Sequence, residues 1–383
     1  MTESIDIMLT LDDIFSGNDN NGIPYPMMVP QQRSAEFLRA QQLMRLERKL
    51  FGAWCQFLFR PPMQAPAILA KLFQSNSTEI GISQDQQQFE AVLDEVETEL
   101  AVSLNHAWFL PYDHPTIVDL QFISHVERMI ATCLYWKGLN IRHNQRWKHL
   151  NRWIQAFEMR TTYANTRSDY YTHVHNIPPQ YGPPFPIDSD TTRKMQNVID
   201  GKDGWWSLDT VVNKIDERNI YEPVPDNEME LGGKAACLEA SQRLSRNEEH
   251  FDAVVKFACR GAGKRGHKSF AAELADPYAV SNDNCHNSTK ELLKIIDELL
   301  ISGCAVDYVD AQIPEEEAIV ASIAQSRQHV NEVISSASVK SSDLVSCMIY
   351  LRDRIGVPRD MGHYAALMLR AHINFVLDII YTS

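Results

Sequence analysis

Apolar side chains recur at steps of three and four along most of this chain, and that period constrains its fold more than any other feature. Between residues 34 and 59, Leu43, Leu46, Leu50, Trp54 and Phe57 form one stripe, the spacing of a helix that buries a single face. Residues 84–103 repeat the pattern with Phe89, Leu93, Val96 and Leu100, and residues 116–136 with Leu120, Ile123, Ile130 and Leu134. Gly138 follows closely enough to end that third helix. A fourth covers residues 144–161, with Trp147, Leu150, Trp153, Ile154 and Phe157. The four predict one packed bundle. Strand signals are scarce, the best being Cys304-Ala305-Val306-Asp307-Tyr308-Val309. The expected fold class is all-α.

From about residue 164 the period fails. Five prolines fall between positions 178 and 186, and proline both lacks the amide donor and turns its predecessor away from helix. The segment is therefore expected to be extended, and its aromatics predict that it lies against a surface. Helices resume with Ser245-Arg246-Asn247-Glu248 read as a capping box before Phe251, Val254, Val255 and Ala258, and Gly261 as the stop. Ser288-Thr289-Lys290-Glu291 reads as another such box, and Pro314-Glu315-Glu316-Glu317 as a further helix start. A last helix is expected over about 361–380. The organisation read from these breaks is an extension at 1–33, a helical domain at 34–165, a Pro/aromatic crossover at 166–234 and a second helical domain at 235–383.

Hydrophobic residues make up 44% and charged residues 22% of the 383, enough apolar material for real cores. With 36 basic and 50 acidic side chains the net charge is −14, which disfavours nucleic acid as a partner. No apolar run approaches the roughly 20 residues of a membrane span. Seven cysteines are scattered without a C-x-x-C pair, so the expected setting is intracellular and reducing, the cytoplasm or a plastid stroma. The N-terminus shows no secretory signal.

One stretch is more specific. In Phe109-Leu110-Pro111-Tyr112-Asp113-His114-Pro115-Thr116-Ile117-Val118-Asp119, Thr116 can cap the next helix while Asp119 bonds back to the capping amide. Glu127-Arg128 follow, and then Trp147, Leu150 and Trp153. This order resembles the helical C-terminal domain of glutathione transferases, over about residues 34–165. His149 stands where that family often has proline, and Val118 where it usually has alanine. The family binds glutathione through a preceding thioredoxin-like domain, for which residues 1–33 are too short. The resemblance thus implies a form lacking that domain, with no catalytic residue to carry across and with Thr116 and Asp119 as folding residues. Further on, Tyr350-Leu351-Arg352-Asp353-Arg354-Ile355-Gly356-Val357-Pro358-Arg359-Asp360-Met361 resembles extended, transferase-related proteins of cyanobacteria and plastids.

Four clusters could carry chemistry. Lys256, Arg260, Lys264, Arg265 and Lys268, with His267, surround Gly261, Gly263 and Gly266. Such a loop can cradle an anion through backbone amides, or it is a plain helix end whose cations answer the dipole. It lacks the spacing of a P-loop. Arg352, Arg354, Arg359 and Arg370 alternate with Asp353 and Asp360, mixed signs that favour internal pairing. Tyr170, Tyr171, His173, His175 and Tyr181 form a Tyr/His-rich segment beside the prolines, expected as an interaction surface. His173 and His175 with Asp169 make only a weak metal set, and no metal is expected. Cys55 reads as a small buried hydrophobe rather than a nucleophile.

The leading expectation is a non-catalytic interaction or assembly protein with a protein partner. The first alternative is a divergent glutathione-dependent transferase or thiol-ligand binder, its acceptor groove lying between the helices at 34–59 and 116–136. The second is a binder of a small apolar ligand or pigment. Glutathione is the one cofactor candidate, and a homodimer the one assembly candidate, since such transferases often dimerise.

Overall fold

A computed structural model of the chain describes residues 3–15, 26–61, 83–102, 106–264, 278–302 and 316–383. Among these residues there is no strand, only one antiparallel bridge between Lys264 and Val280. The Cys304–Val309 stretch lies outside the described residues. Helices build two compact units, Met1–Phe157 with Tyr181–Thr192, and Glu158–Gln180 with Arg193–Ser383. The proline-rich segment is divided between them.

In the first unit, side-chain caps set where helices begin. α1 covers Glu3–Ile14, α2 Ala35–Phe59, α3 Gln84–Ala101, α4 Ile117–Lys137 and α5 Lys148–Glu158. The Ser34 and Ser83 hydroxyls accept the amides of Phe37 (3.0 Å) and Gln86 (3.1 Å) to open α2 and α3. α4 ends at Gly138, whose φ of 66° closes the last turn in the left-handed conformation. The start of α5 is capped from a distance. Both oxygens of Glu97, on α3, accept amides of its first turn, His149 at 2.9 Å and Leu150 at 2.8 Å, placing a carboxylate at the positive helix end. A proline at 149 would have no amide for this bond.

The predicted stripes pack as expected, with one insertion. Leu43, Leu50, Trp54 and Phe57 are buried, but Leu46 is only half-buried and Glu47 takes a core position. Burial pushes the Glu47 carboxyl up, and its bonds to His125 (2.6 Å) and Arg48 (2.5 and 2.7 Å) overcome this and hold it below its usual range. After the single helical turn Pro178–Tyr181, the chain runs extended along the first unit. There the Phe185 amide bonds to Leu58 O and the Ile187 amide to Trp136 O, both at 2.9 Å.

The second unit holds α6 (Tyr170–Asn176), α7 (Asp190–Ile199), α8 (Asp226–Ser245), α9 (Glu248–Cys259), α10 (His286–Ser302), α11 (Glu316–Ser336), α12 (Ser341–Arg352) and α13 (His363–Thr382). The start of α7, through Thr192, is counted with the first unit and the rest with this one. Short helices thus occupy much of the stretch expected to be irregular. They are one to three turns long, too short to show a periodic stripe, and are held by single anchors such as Trp206, Tyr170 and Tyr171. The caps also differ from those expected. Asn247 opens α9 by accepting the His250 amide at 2.8 Å, and a 3-10 turn capped by Asn282 leads into α10. Ser245 and Ser288 lie inside helices because an asparagine elsewhere holds the first turn instead.

α13 is apolar nearly all round, the mark of an enclosed helix. By length and composition it could cross a membrane, but 72% of that stretch is buried among its neighbours. Its first amides are capped by α8, Glu239 accepting from Gly362 (2.9 Å) and Glu228 from His363 (3.2 Å) and Tyr364 (2.6 Å). Within α13, His372 is fully buried. Its Nδ1 faces Met368 O at 2.7 Å, Nε2 has no partner, and burial pushes its pKa down to about 4. The unfolded imidazole titrates near 6.5, so between those values the unfolded chain binds the extra proton. Stability is therefore complete above pH 6.5 and falls as pH drops toward 4, by about 3 kcal/mol from this residue. Denaturant unfolding at pH 7 and pH 4.5 checks this. The His372→Gln variant is expected to lose less stability over that interval than the parent.

Candidate functional site

The expected anion loop is built differently from its sequence reading. Lys256 is tied to Asp252 at 2.8 Å, which also holds His286 at 2.9 Å. Lys264 spends its amide and carbonyl on the bridge to Val280, at 3.1 and 2.9 Å. The glycines serve close packing. A Cβ on Gly261 would stand 2.1 Å from Ser346 O, and one on Gly263 1.9 Å from Val280 O. Close packing therefore requires glycine at both positions, and the Gly263 amide donates to Arg260 O at 3.2 Å. Arg265, His267 and Lys268 lie outside the described residues. Arg260 alone, of the described cations of this loop, lines a cavity.

That cavity is a cleft of about 640 Å³ in the second unit, between the end of α8, one face of α9, the segment after α12 and the start of α13. Leu244, Leu351, Ile355, Met361 and Leu369 are buried and make its floor. Around it stand Arg243, Arg246, Arg260, Arg354, Arg359 and His250, against a single carboxylate, Asp360. The arginines divide by what they already hold. Arg359 grips Asp360 through Nε (2.9 Å) and Nη2 (2.7 Å), and Nη2 also donates to Arg354 O at 3.0 Å. The Arg354 guanidinium lies 3.6 Å over the Tyr350 ring and donates to Tyr350 O at 3.3 Å. Arg243, Arg246 and Arg260 have no carboxylate partner among the described residues. Arg260 stacks over Phe257 at 5.3 Å, and the Arg243 carbonyl pairs with His250 Nε2 at 2.8 Å.

The expected pairing of the C-terminal arginines is local only in part. Arg352 holds Asp353 at 2.7 Å, but Arg370 reaches Asp169 at 2.6 Å across 201 positions of sequence. Arg370 also donates to Ile355 O at 2.8 Å and lies against the rings of Tyr171 (4.6 Å) and Trp206 (4.8 Å), which pack edge-on to each other at 5.0 Å. The guanidinium and further bonds hold the Asp169 carboxyl well below its usual range against the effect of burial. Beside this pair, Arg218 holds Glu222 at 2.9 Å, and His363 Nε2 stands 3.6 Å from Glu222. Burial and the neighbouring Arg218, Arg167 and Arg370 push His363 well below the usual imidazole range. Asp169, Arg218, Glu222, His363 and Arg370 are each at most 1% exposed. The network locks the core of this unit and meets no solvent.

The same burial corrects the expected interaction surface. Tyr170, Tyr171 and His173 are buried, so they present no face to a partner. His175 bonds to Asp200 at 3.0 Å. Tyr181, by contrast, remains 37% exposed while its ring packs within the first unit against Phe51, Trp54 and Phe59, with centroids 5.6 to 5.9 Å away. These residues lie on a short helix enclosed on most sides, with Tyr170 to Val174 all buried, and Asp169 is occupied by Arg370. No group of three metal-ligating side chains occurs among the described residues. Cys55 is half-buried and unpaired, its thiol pushed up to about 11 by burial.

A cavity lies in the first unit where the N-terminal half of α2 meets α1, residues 29–30 and the first residue of α4. It is about 440 Å³, lined by Phe37, Ala40, Met44 and Ile117 with Leu9, Val29 and Pro30, and Arg45 is its one basic residue. The capping box that carried the family resemblance is fully formed. Asp119 accepts the Thr116 amide (2.8 Å) and hydroxyl (2.9 Å) at one oxygen, and the Phe109 amide (3.1 Å) and Trp153 Nε1 (2.9 Å) at the other.

Residues 79–156, which hold this box and the helices α3 to α5, match the family model described as Glutathione S-transferase, C-terminal domain. The first unit therefore carries a glutathione S-transferase C-terminal-like helical domain.

Proposed function

We propose that this chain, a glutathione S-transferase C-terminal-like domain joined to a second helical unit, is a small-molecule-binding protein whose ligand is an organic anion with an apolar body. One observation carries the reading. The cleft of the second unit surrounds an apolar floor with five arginines and a histidine against a single aspartate. Its volume of about 640 Å³ falls within the usual range for ligand sites. In a chain of net charge −14, five arginines are gathered around one cavity.

The test uses the fluorescent anion anilinonaphthalenesulfonate as a probe. Saturable binding by the native chain is expected, weakened about tenfold or more in the double variant Arg243→Glu/Arg246→Glu, since each charged hydrogen bond contributes about 1.5–3 kcal/mol. Both arginines are exposed, so the thermal transition should stay in place. Equal affinity in parent and variant would refute the site. Glutathione belongs in the same titration. It carries two carboxylates but little apolar surface, so it is expected to bind more weakly than the probe.

A second reading, association with a protein partner or a second copy of the chain, is supported by a different feature. Ile7, Leu11 and Ile14 form an exposed apolar stripe along α1, with exposures of 60%, 48% and 65%. Sedimentation of the parent and of Ile7→Ser/Leu11→Ser would separate the two readings, because ligand binding should be indifferent to these changes.

A further inference from the structure

The cleft follows one face of α9, and its charge is not uniform along that face. His250, Ala253, Val254, Phe257 and Arg260 recur at steps of three and four and all line the cavity. Arg243, Arg246 and His250 stand at the N-terminal end, the apolar Ala253, Val254 and Phe257 in the middle, and Arg260 beyond them. At the rise of a helix, His250 and Arg260 are about 15 Å apart along the axis. The guanidinium of Arg260 folds back over Phe257, which shortens the gap to about 10 Å, the axial distance from His250 to Phe257. No single carboxylate reaches both ends. The exposed Arg359 and the buried Arg354 do not alter this pattern, since Arg359 is paired with Asp360 and Arg354 is stacked on Tyr350.

We infer that the ligand of this cleft is elongated and carries an anionic group at each end of an apolar spacer, the chemistry of a long-chain α,ω-dicarboxylate. The inference rests on the anion-binding reading of the same cleft. One end group meets Arg243 and Arg246, the spacer lies on Val254 and Phe257 above the floor of Leu351, Ile355 and Leu369, and the other end group meets Arg260. Guanidinium groups suit such ends because their forked donors match a carboxylate.

Calorimetric titration with dodecanedioate, dodecanoate and butanedioate, each kept monomeric, tests this. Dodecanedioate is expected to bind about tenfold more tightly than dodecanoate, because it adds one charge-assisted contact. Butanedioate, which has both charges but no spacer, should bind far more weakly than either. Arg260→Met keeps the stacking volume over Phe257 and should bring dodecanedioate down to the affinity of dodecanoate while leaving dodecanoate unchanged. Arg243→Glu/Arg246→Glu should weaken both. Equal affinities for dodecanedioate and dodecanoate, or an Arg260→Met variant that weakens both alike, would overturn the two-ended ligand and leave the anion cleft standing. Failure of both compounds together with anilinonaphthalenesulfonate would instead remove the cleft reading itself. The melting temperature of Arg260→Met, expected to match the parent, confirms that the comparison is made on folded protein.

Discussion

Arg370→Ala is expected to cost the second unit about 3–5 kcal/mol, because it leaves the Asp169 carboxylate buried without its counter-charge. On unfolding by heat, the corresponding drop is on the order of 10 °C. The residue sits at 0% exposure, 2.6 Å from Asp169 and packed against two aromatic rings. Its loss therefore removes a charge pair, a bond to Ile355 O and two stacking contacts at once. Asp169→Asn is expected to be milder. Asparagine keeps an oxygen for the Thr172 amide, which Asp169 caps at 2.9 Å, yet it leaves the guanidinium uncompensated. The double variant Asp169→Asn/Arg370→Met should be more stable than the sum of the two single losses predicts, since neither charge is then stranded. Strict additivity in urea titrations would mean that the pair is not coupled.

The second large effect lies in the family-like domain. Asp119→Ala should cost about 3–5 kcal/mol, the sum of a lost helix cap and of buried donors left without acceptors. Four donors converge on this carboxylate at 2.8 to 3.1 Å. An asparagine in its place would not restore them, because its amide must turn two hydrogens toward groups that are themselves donors. Asp119→Asn is therefore expected to fall closer to the alanine variant than to the parent, read from denaturant midpoints. Burial pushes the Asp119 carboxyl above its usual range despite these bonds. A rise in its pKa makes the folded state bind the proton more readily than the unfolded chain does. Its own contribution thus weakens as pH climbs from the ordinary carboxylate value through the raised one, the opposite sense to His372.

These two carboxylates show how far the chain could be read from its residues. Asp119 was legible because its partner Thr116 is three positions away, and a capping box is a local device with a fixed spacing. The same locality made Gly138, the stripes of α2 to α5 and the family resemblance readable. Asp169 was read instead as a weak third ligand beside His173 and His175. Its true partner is 201 positions off, and nothing in the spacing of charges along a sequence encodes a contact of that range. Glu47 was missed for a related reason. A carboxylate within an apolar stripe counts against the stripe until His125 is brought beside it from α4.

The candidate site divides along the same line. Arg260 belongs to a local cluster of cations and lines the cleft, which the other described cations of that cluster do not. The Lys256 ammonium is paired with Asp252, and the Lys264 backbone, though not its side chain, is held in the bridge with Val280. Arg243, Arg246 and the floor residues come from other parts of the chain and had no common signal.

The sequence by itself determined the helical class, the Thr116–Asp119 capping box and the transferase-like domain, because each depends on the period of a helix or the reach of one side chain. Only the tertiary structure decided which charges neutralise one another and which arginines line the cleft without a carboxylate partner among the described residues. That choice depends on which faces of α8, α9, α12 and α13 pack together, and burial then fixes the cost of every unpaired charge.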